Sequence, residues 1–322
     1  MVSILMPAKN AAEFLDECIS SILNQTYEKW ELCVVDDHST DNTLEILNQF
    51  ALNDSRIRVF TNKGTGIINA LTLAFNRSQG EFISRMDADD LMANNKIELL
   101  RNALLKRPNH IITNKVKYFS KTKLNEGYSN YEQWLNALVD QQNHYQEIYK
   151  ECVIPSPSWM LERHILEGLG GFKSLDYPED YDLCFKLYQQ NVPVYGLRET
   201  LHFWRDYPDR TSRTNENYAD NRFLELKVRY FIECDFKNDE ELVLWGAGKK
   251  GKRIAQLLKD SNIPFRWVTN NESKLKAPIY DNHLERESIL EELNESQIIL
   301  AIAQKGFNLN KVDYKHAVFK FC

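Results

Sequence analysis

The chain has 322 residues, of which 43% are hydrophobic and only 12 are Gly and 9 are Pro. Its length exceeds one typical core and its composition excludes a disordered chain, so we expect a globular protein of two domains. A net charge of −6 excludes a general attraction to nucleic acid or anionic lipid. The six cysteines are far apart and form no Cys-x-x-Cys pair, which indicates neither zinc nor redox chemistry and fits a reducing cytoplasm.

The N-terminal segment Met-Val-Ser-Ile-Leu-Met-Pro lacks a basic region and is broken by Pro7, so it predicts a strand rather than a signal peptide. No apolar run reaches the roughly 18 residues that a membrane helix needs. We therefore expect a cytoplasmic protein without an anchor of its own.

Residues 1–110 alternate short apolar runs with amphipathic stretches. Strand-like runs occupy 2–6, 31–35, 57–60 and 81–84, and helical spacing occurs at 11–25, 43–52 and 67–77. This β-α order predicts an α/β fold with a mostly parallel sheet flanked by helices. Ligands bind at the carboxyl ends of such strands, where three polar clusters fall, at 7–10, 36–40 and 87–90.

The remaining chain is less regular. An aromatic-rich stretch at 118–151 has helical spacing that predicts a packed helix, with a partner or acceptor surface as the alternative. Helices are also predicted at 179–190 and 215–234. A polar linker then begins at residue 237, so we predict a first domain over 1–236 and a small second domain over 237–322.

The segment Ser-Arg-Met-Asp-Ala-Asp-Asp at 84–90 places Asp87, Asp89 and Asp90 within four positions. Like charges this close repel unless a cation, hydrogen bonds or water offsets them. A helix cap or a solvated acidic turn would explain the cluster equally well in isolation.

Five segments together resemble family 2 glycosyltransferases with a GT-A fold, in that family's order and spacing. They are VSILMPAKN at 2–10, SSILNQT at 20–26, VVDDHSTD at 34–41, MDADD at 86–90 and PEDYDL at 178–183. The resemblance spans residues 1–214. It implies a GT-A type, Rossmann-like, mostly parallel sheet and a role in bacterial surface polysaccharide synthesis.

The resemblance also implies the reaction. A metal-dependent inverting enzyme would move a sugar from a nucleoside diphosphate sugar, with a UDP-sugar expected, to a hydroxyl of a glycan or lipid-linked acceptor. Mn²⁺ or Mg²⁺ would offset the charge that builds on the departing diphosphate, because both ions prefer oxygen ligands. Hexose and N-acetylhexosamine both remain open as the transferred sugar.

Residue roles follow by position in the family's motifs. Asp89 is the expected metal ligand, Asp87 lies near the ribose or the metal's water shell, and Asp90 is expected to cap a helix over 93–106. Asp37 is expected to accept a hydrogen bond from the imide of the base. The other expected donor contacts in the first 90 residues are Pro7, Ala8, Asn10, Lys63 and Arg85, with Gly64 and Gly66 beside Lys63.

Glu179 and Asp180 match the family's acidic pair. The resemblance makes Asp180 the base that accepts the acceptor's proton, with Glu179 second, and direct attack by that hydroxyl inverts the anomeric configuration. Both residues fall in the first turn of a helix, where capping alone would explain one of them.

The segment 202–213 resembles the family's mobile loop that closes over the donor. Arg205 and Ser212 align with it, and Arg210 or Arg213 would bind the diphosphate. Some relatives carry a His near the metal two places after the Arg, and this chain has Tyr207 there. His202 replaces that ligand only if the loop bends differently.

The second domain begins with Gly246-Ala-Gly-Lys-Lys-Gly251 between a strand and a helix, the context of a dinucleotide fingerprint. The acidic residue expected about 20 positions later is replaced by Asn270 and Asn271. We therefore expect a Rossmann-like accessory module for assembly or acceptor binding. The alternatives are a nucleotide-sensing or NAD-binding protein, and a non-catalytic scaffold that binds sugar nucleotides.

Partners follow from the resemblance. They are a nucleoside diphosphate sugar and an acceptor that is often lipid-linked, which would bring the protein into peripheral contact with the inner membrane face. Any homo-oligomer is expected to form through the C-terminal domain.

Overall fold

The computed structural model describes residues 1–121, 124, 126–208, 210, 223–303 and 316–322. The chain divides into two compact units, the first from Met1–Tyr145 and Cys152–Arg210 and the second from Gln146–Glu151 and Thr211–Cys322. The domain boundary at 236 stays a prediction. It groups the helix at 215–234 with the first domain, whereas the described part of that helix lies in the second unit.

The first unit contains one eight-stranded sheet in the order β3-β2-β1-β4-β7-β6-β8-β5. Strands β1 to β4 pair in parallel, β7 is antiparallel to both of its neighbours, β6 and β8 are parallel, and β5 forms an antiparallel edge. The strands are β1 Val2–Ala8, β2 Trp30–Asp36, β3 Ile57–Thr61, β4 Phe82–Arg85, β5 Leu91–Met92, β6 Ile111–Ser120, β7 Trp159–Glu162 and β8 Val194–Asp206.

Helices flank this sheet because their apolar faces must be buried against it. Strands β1 and β2 are buried along nearly their whole length, as expected for parallel strands covered on both faces. The described helices of this unit are α1 Leu15–Leu23, α2 Thr43–Asn53, α3 Ile67–Arg77, α4 Lys96–Lys106, α5 Glu126–Gln141, α6 Arg163–Gly168 and α7 Glu179–Gln189. The predicted α/β class with a mostly parallel sheet is confirmed.

The register of the sheet brings the polar clusters together. Leu5 of β1 pairs with Arg85 of β4, and Ala8 at the end of β1 pairs with Asp36 at the end of β2. Since these three strands run in parallel, their carboxyl ends meet at one edge of the sheet. The segments that follow them therefore line one site.

Strand β8 differs from the prediction. Residues 202–206 were expected in a mobile loop, but His202 pairs with Val116 of β6 and with Met92 of β5, and Asp206 pairs with Ser120. The loop prediction is wrong for these residues because the ladder to β6 continues to the end of both strands. Residues 211–213 lie outside the described part of the chain.

The second unit has a parallel sheet in the order β11-β10-β9-β12-β13. Its strands are β9 Glu241–Trp245, β10 Arg266–Thr269, β11 Glu285–Arg286, β12 Ser296–Leu300 and β13 Ala317–Lys320, and its described helices are α8 Phe223–Tyr230 and α9 Lys249–Asp260. This small parallel sheet confirms the predicted second α/β fold.

The turn between β9 and α9 requires two of its glycines. Gly246 has φ +121°, a conformation that L side chains rarely adopt, and a Cβ on Gly251 would lie 2.0 Å from the carbonyl oxygen of Gly246. These glycines therefore allow α9 to start close to β9. None of the described helices is long and apolar enough to cross a membrane.

Candidate active site

The acidic loop that follows β4 lies at the carboxyl edge of the first sheet. The side chain of Asp87 is 24% exposed, Asp89 is half-buried, and Asp90 is fully buried. The loop therefore offers two carboxylates to a ligand, whereas the third points into the protein.

Arg85 joins this loop to a distant acidic residue. Its guanidinium donates to Oδ1 of Asp87, 3.1 Å from Nε, and to Oε1 of Glu179, 2.9 Å from Nη1. Both Arg85 and Glu179 are buried. Although burial opposes it, the Asp87 and Glu179 carboxylates hold the pKa of Arg85 above its usual range. One cation thus connects the acidic loop to the start of α7.

The start of α7 carries the acidic pair. Pro178, which follows a cis peptide bond, precedes the helix. Oδ1 of Asp180 accepts a hydrogen bond of 2.8 Å from the backbone N–H of Tyr181. Burial, together with the neighbouring Glu179 carboxylate, raises the pKa of Asp180 to about 7. Asp180 is thus poised to exchange a proton near neutral pH.

Asp89 is held by residues of β8 and by the residue that follows it. The hydroxyl of Tyr207 donates to Oδ2 of Asp89 over 2.9 Å, and Nε of Arg205 donates to the Asp89 carbonyl over 2.7 Å. Nη2 of Arg205 also donates to Glu17, 2.5 Å away. Burial and the charge of nearby Asp90 raise the pKa of Asp89 to about 7. Arg205, predicted as a donor contact, here supports the acidic loop.

Asp90 does not cap a helix. Its Oδ2 lies 3.0 Å from Nε2 of His202, and its Oδ1 accepts the backbone N–H of Arg205 over 2.8 Å. Helix α4 begins only at Lys96, and its N-cap Asn95 makes no side-chain capping bond. The capping prediction is therefore wrong, because the Asp90 side chain bonds to β8.

His202 is fully buried and both of its ring nitrogens are engaged. Nδ1 lies 3.0 Å from Nζ of Lys96, which also donates to the carbonyl of Pro157 over 2.8 Å. Burial lowers the pKa of His202 well below its usual value and the pKa of Lys96 to about 7. A neutral imidazole with two occupied nitrogens is not available as a metal ligand.

The carboxylate oxygens of the acidic loop fit a divalent cation whose other coordination positions would be filled by a bound ligand. Oδ2 of Asp87 and Oδ1 of Asp89 accept no hydrogen bond from the described residues. Within the described part of the chain, no three His, Cys, Asp or Glu side chains converge on one point. Mg²⁺ and Mn²⁺ commonly use one or two carboxylates and complete their shell with phosphate and water.

The end of β2 forms a second polar corner. Asp37 is 5% exposed and accepts hydrogen bonds from Nδ2 of Asn62, at 2.6 Å, and from the backbone N–H of Gly66, at 3.0 Å. Its own N–H donates to Ala8 over 2.8 Å. In the sequence, the exposed Lys63 lies between Asn62 and Gly66, the two residues that bond to Asp37. The predicted Ala8 and Asp37 are thus brought together, and Lys63 belongs to the loop that bonds to Asp37.

Two neighbouring residues complete this corner. Asn10 has φ +49°, and its Oδ1 accepts the backbone N–H of Thr40 over 2.8 Å, while Pro7 is half-buried at the end of β1. Asp36 is 2% exposed, and its Oδ1 has no hydrogen-bond partner among the described residues. A buried carboxylate oxygen without a partner is costly, which makes Asp36 a candidate ligand contact that sequence reasoning missed.

Arg210 lies on the side of the acidic loop formed by β6 and β8. Its guanidinium is 5.7 Å from the ring centre of Tyr118 and 5.8 Å from that of Trp204. Although burial opposes it, the charges of Asp90 and Asp89 contribute to holding the pKa of Arg210 above its usual range. Arg210 is therefore close to the acidic loop. The other two predicted contacts, Ser212 and Arg213, lie outside the described residues.

Sequence reasoning also missed the roles of Glu17 and Lys96. Glu17 sits in the polar first turn of α1 and gives no local signal. Lys96 does give one, because Lys96, Leu100 and Leu104 recur at a spacing of four on the buried face of α4. A lysine in an apolar helical stripe indicates a buried charge that requires partners.

The chain is similar to known proteins both in sequence and in fold. Residues 3–170 match the family described as Glycosyl transferase family 2. Over 244 residues the chain is 33% identical to the UDP-Glc:alpha-D-GlcNAc-diphosphoundecaprenol beta-1,3-glucosyltransferase WfgD of Escherichia coli, which covers 73% of this chain and 86% of that protein.

Two solved structures are similar in fold. S. aureus TarS 1-349 in complex with UDP-GlcNAc has a TM-score of 0.58 at 17% identity, over 87% of this chain and 77% of that one. The mannosyltransferase PcManGT from Pyrobaculum calidifontis, in complex with GDP-Man and Mn²⁺, has a TM-score of 0.53 at 19% identity, over 80% and 68% of the two chains. At these identities the likeness concerns the fold.

We predict that Arg85→Met lowers the free energy of unfolding by about 3–5 kcal/mol, because it leaves the buried Glu179 carboxylate without its partner. Urea titration of the purified variant measures this loss. The double variant Arg85→Met/Glu179→Gln should recover part of it, since a neutral amide is less costly to bury. A loss below about 1 kcal/mol in Arg85→Met would contradict a stabilising bridge.

Proposed function

Because this chain belongs to glycosyl transferase family 2, we propose that it is a metal-dependent, inverting enzyme that transfers a sugar from a UDP-sugar to a hydroxyl of a lipid-linked glycan. Glycosyltransferase activity in bacterial surface glycan synthesis follows from the family and from its curated relatives. The donor, the acceptor, the metal and the stereochemistry are the proposed part.

The Arg85 bridge carries this proposal. The guanidinium bonds to Asp87 of the acidic loop and to Glu179, the neighbour of Asp180. The charge of Arg85 also lowers the pKa of Asp180 against the dominant effect of burial, so the two groups interact. This arrangement supports one site in which the acidic loop binds the donor's diphosphate and Asp180 faces the sugar.

The donor's base is assigned to the corner at the end of β2. Asp37 is the proposed acceptor for the imide N–H of uracil, and Asp36 offers an oxygen that has no partner among the residues the structure describes. The E. coli relative is named for a UDP-Glc donor, which supports a uracil nucleotide here. Pro7, Ala8, Asn10 and Lys63 surround the same corner.

The diphosphate is assigned to the acidic loop. A bound divalent cation supplies Lewis-acid stabilisation of the charge that develops on the leaving diphosphate. Asp89 and Asp87 would hold that cation, and the Tyr207 hydroxyl orients the Asp89 carboxylate. Arg210 is close enough to this loop to interact with its charges and is the proposed donor of charge-assisted bonds to the phosphates.

Asp180 is assigned to the acceptor side. The acceptor oxygen forms a bond to the anomeric carbon as the bond from that carbon to the diphosphate oxygen breaks. The hydroxyl proton passes to the Asp180 carboxylate. Attack opposite the leaving group inverts the anomeric configuration, and Glu179, which bonds to Arg85, assists in placing Asp180.

The acceptor is proposed to be lipid-linked, because the E. coli relative is named for an acceptor on diphosphoundecaprenol. A cytoplasmic enzyme would then meet its acceptor at the inner membrane face. The second unit, with its parallel sheet, is proposed as an accessory module for acceptor binding or assembly.

We predict that Asp89→Ala and Asp180→Asn each reduce transfer by at least a hundredfold, because each removes a group used in the reaction. Only Asp89→Ala should weaken binding of UDP with Mn²⁺. Calorimetry with UDP and Mn²⁺, beside an assay of sugar transfer, separates the two effects.

Asp41→Asn is the matched control. The Asp41 carboxylate accepts hydrogen bonds from the backbone N–H groups of Ala12 and Thr43 near the same sheet edge, and it is assigned no part in the reaction. It should leave donor binding intact. Normal transfer by Asp180→Asn would remove the base assignment.

The pH dependence of transfer should report Asp180. A base must be ionised, and its pKa of about 7 predicts that kcat/KM falls as pH drops below about 7. Measurements between pH 5 and 8.5 at saturating Mn²⁺, where a bound cation would keep Asp89 ionised, isolate this group. A kcat/KM that stays level down to pH 5, as an Asp with an ordinary pKa near 4 would give, would contradict a buried base.

A further inference from the structure

A continuous chain of buried polar groups lies next to the acidic loop. Nζ of Lys96 is 3.0 Å from Nδ1 of His202, and Nε2 of His202 is 3.0 Å from Oδ2 of Asp90. All three residues have 0% exposure. Bulk solvent therefore does not reach any of their polar groups.

The partners fix the direction of these hydrogen bonds. Lys96 donates to the Pro157 carbonyl. When Asp90 is ionised, Nε2–H of His202 donates to it and Nδ1 accepts from Lys96. The second Asp90 oxygen accepts the backbone N–H of Arg205. Lys96 and Asp90 are thus linked through the imidazole of His202.

Stability alone does not account for such a chain. Buried ionic groups lose hydration, and replacing them with apolar residues of similar volume is often neutral or stabilising. Their attested use is to fix one arrangement among alternatives. The question is which arrangement this chain fixes.

The chain joins four segments through the contacts of Lys96, His202 and Asp90. Lys96 begins α4, His202 lies in β8, Pro157 precedes β7, and Asp90 is the neighbour of Asp89. The same end of β8 supplies Arg205 and leads to Tyr207, which hold the carbonyl and the carboxylate of Asp89. The position of β8 against the acidic loop therefore determines where the Asp89 carboxylate points.

We propose that Lys96 and His202 are positioning residues that orient Asp89 for cation binding, acting through Asp90 and strand β8. This inference rests on the proposed role of Asp89 as a metal ligand. Groups that hold a metal ligand in place typically contribute tenfold to a hundredfold in metal affinity.

The test uses the full chain, UDP and Mn²⁺. His202→Phe keeps a ring beside Trp204, whose centre lies 6.2 Å away, but removes both hydrogen bonds. Lys96→Met removes the charge and leaves the His202 to Asp90 bond in place. His202→Gln keeps a donor and an acceptor, and Leu100→Ala is a matched core variant of α4 that removes none of these hydrogen bonds.

Mn²⁺ affinity is measured by calorimetry with UDP present, beside the Mn²⁺ dependence of transfer and the Tm of each variant. His202→Phe and Lys96→Met should weaken Mn²⁺ binding about tenfold to a hundredfold, raise the Mn²⁺ concentration for half-maximal rate, and recover most of kcat at saturating Mn²⁺. His202→Gln should stay within about threefold of wild type. Leu100→Ala should lower Tm with unchanged Mn²⁺ affinity.

Asp89→Ala distinguishes the metal-ligand role of Asp89 from the positioning role of Lys96 and His202. If Asp89→Ala loses Mn²⁺ but His202→Phe and Lys96→Met bind it normally, the positioning role is wrong and the metal assignment stands. If Asp89→Ala binds Mn²⁺ normally, the metal assignment fails and the positioning role fails with it. If His202→Phe does not fold, Lys96→Met alone decides between these results.

Discussion

A single buried guanidinium holds this site together. Arg85 bonds to Asp87, two residues away in the chain, and to Glu179, which is 94 residues away. Without a cation between them, the acidic loop and the acidic start of α7 would repel each other in a poorly solvated region. The parallel pairing of β1 with β4 places Arg85 at the sheet edge, so the central sheet and the charge balance of the site depend on each other.

The site remains acidic despite Arg85. The pKa of Asp89 and that of Asp180 are both raised to about 7, which means that the protein alone does not fully stabilise their ionised forms. A positively charged ligand at Asp89 would relieve that cost, and a proton would relieve it at Asp180. The same electrostatic imbalance thus suits one group to a cation and the other to proton transfer.

Local pattern predicted most of the framework. Helix α3 has the predicted bounds of 67–77, and the first four strands agree within two residues, because apolar runs and helical spacing are properties of the local chain. The contacts that arrange the site are not local. Asp90 and His202 are 112 residues apart, and no spacing rule shows that an acidic residue beside a helix will bond to a strand that forms so much later.

The family motifs identify candidate site residues that the hydrophobic pattern of the sequence alone does not. They named Asp37, Asp87, Asp89 and Asp180 as a functional set, and the structure adds the residues that support them. Residues 202–206 show where roles cannot be transferred from the family by alignment. They align with the family's mobile loop, but in this chain they belong to strand β8, which pairs with β5 on one edge and β6 on the other. Lys96 is visible in the sequence as a charge in an apolar stripe, but its two partners, Pro157 and His202, come from distant segments.

The most direct measurement is the anomalous signal of Mn²⁺ in a crystal of the protein grown with UDP. The account predicts one strong peak within bonding distance of the Asp89 carboxylate and the diphosphate, on the side of the site that Asp180 faces. A peak bound elsewhere, or a diphosphate bound with no ion at Asp89, would contradict it.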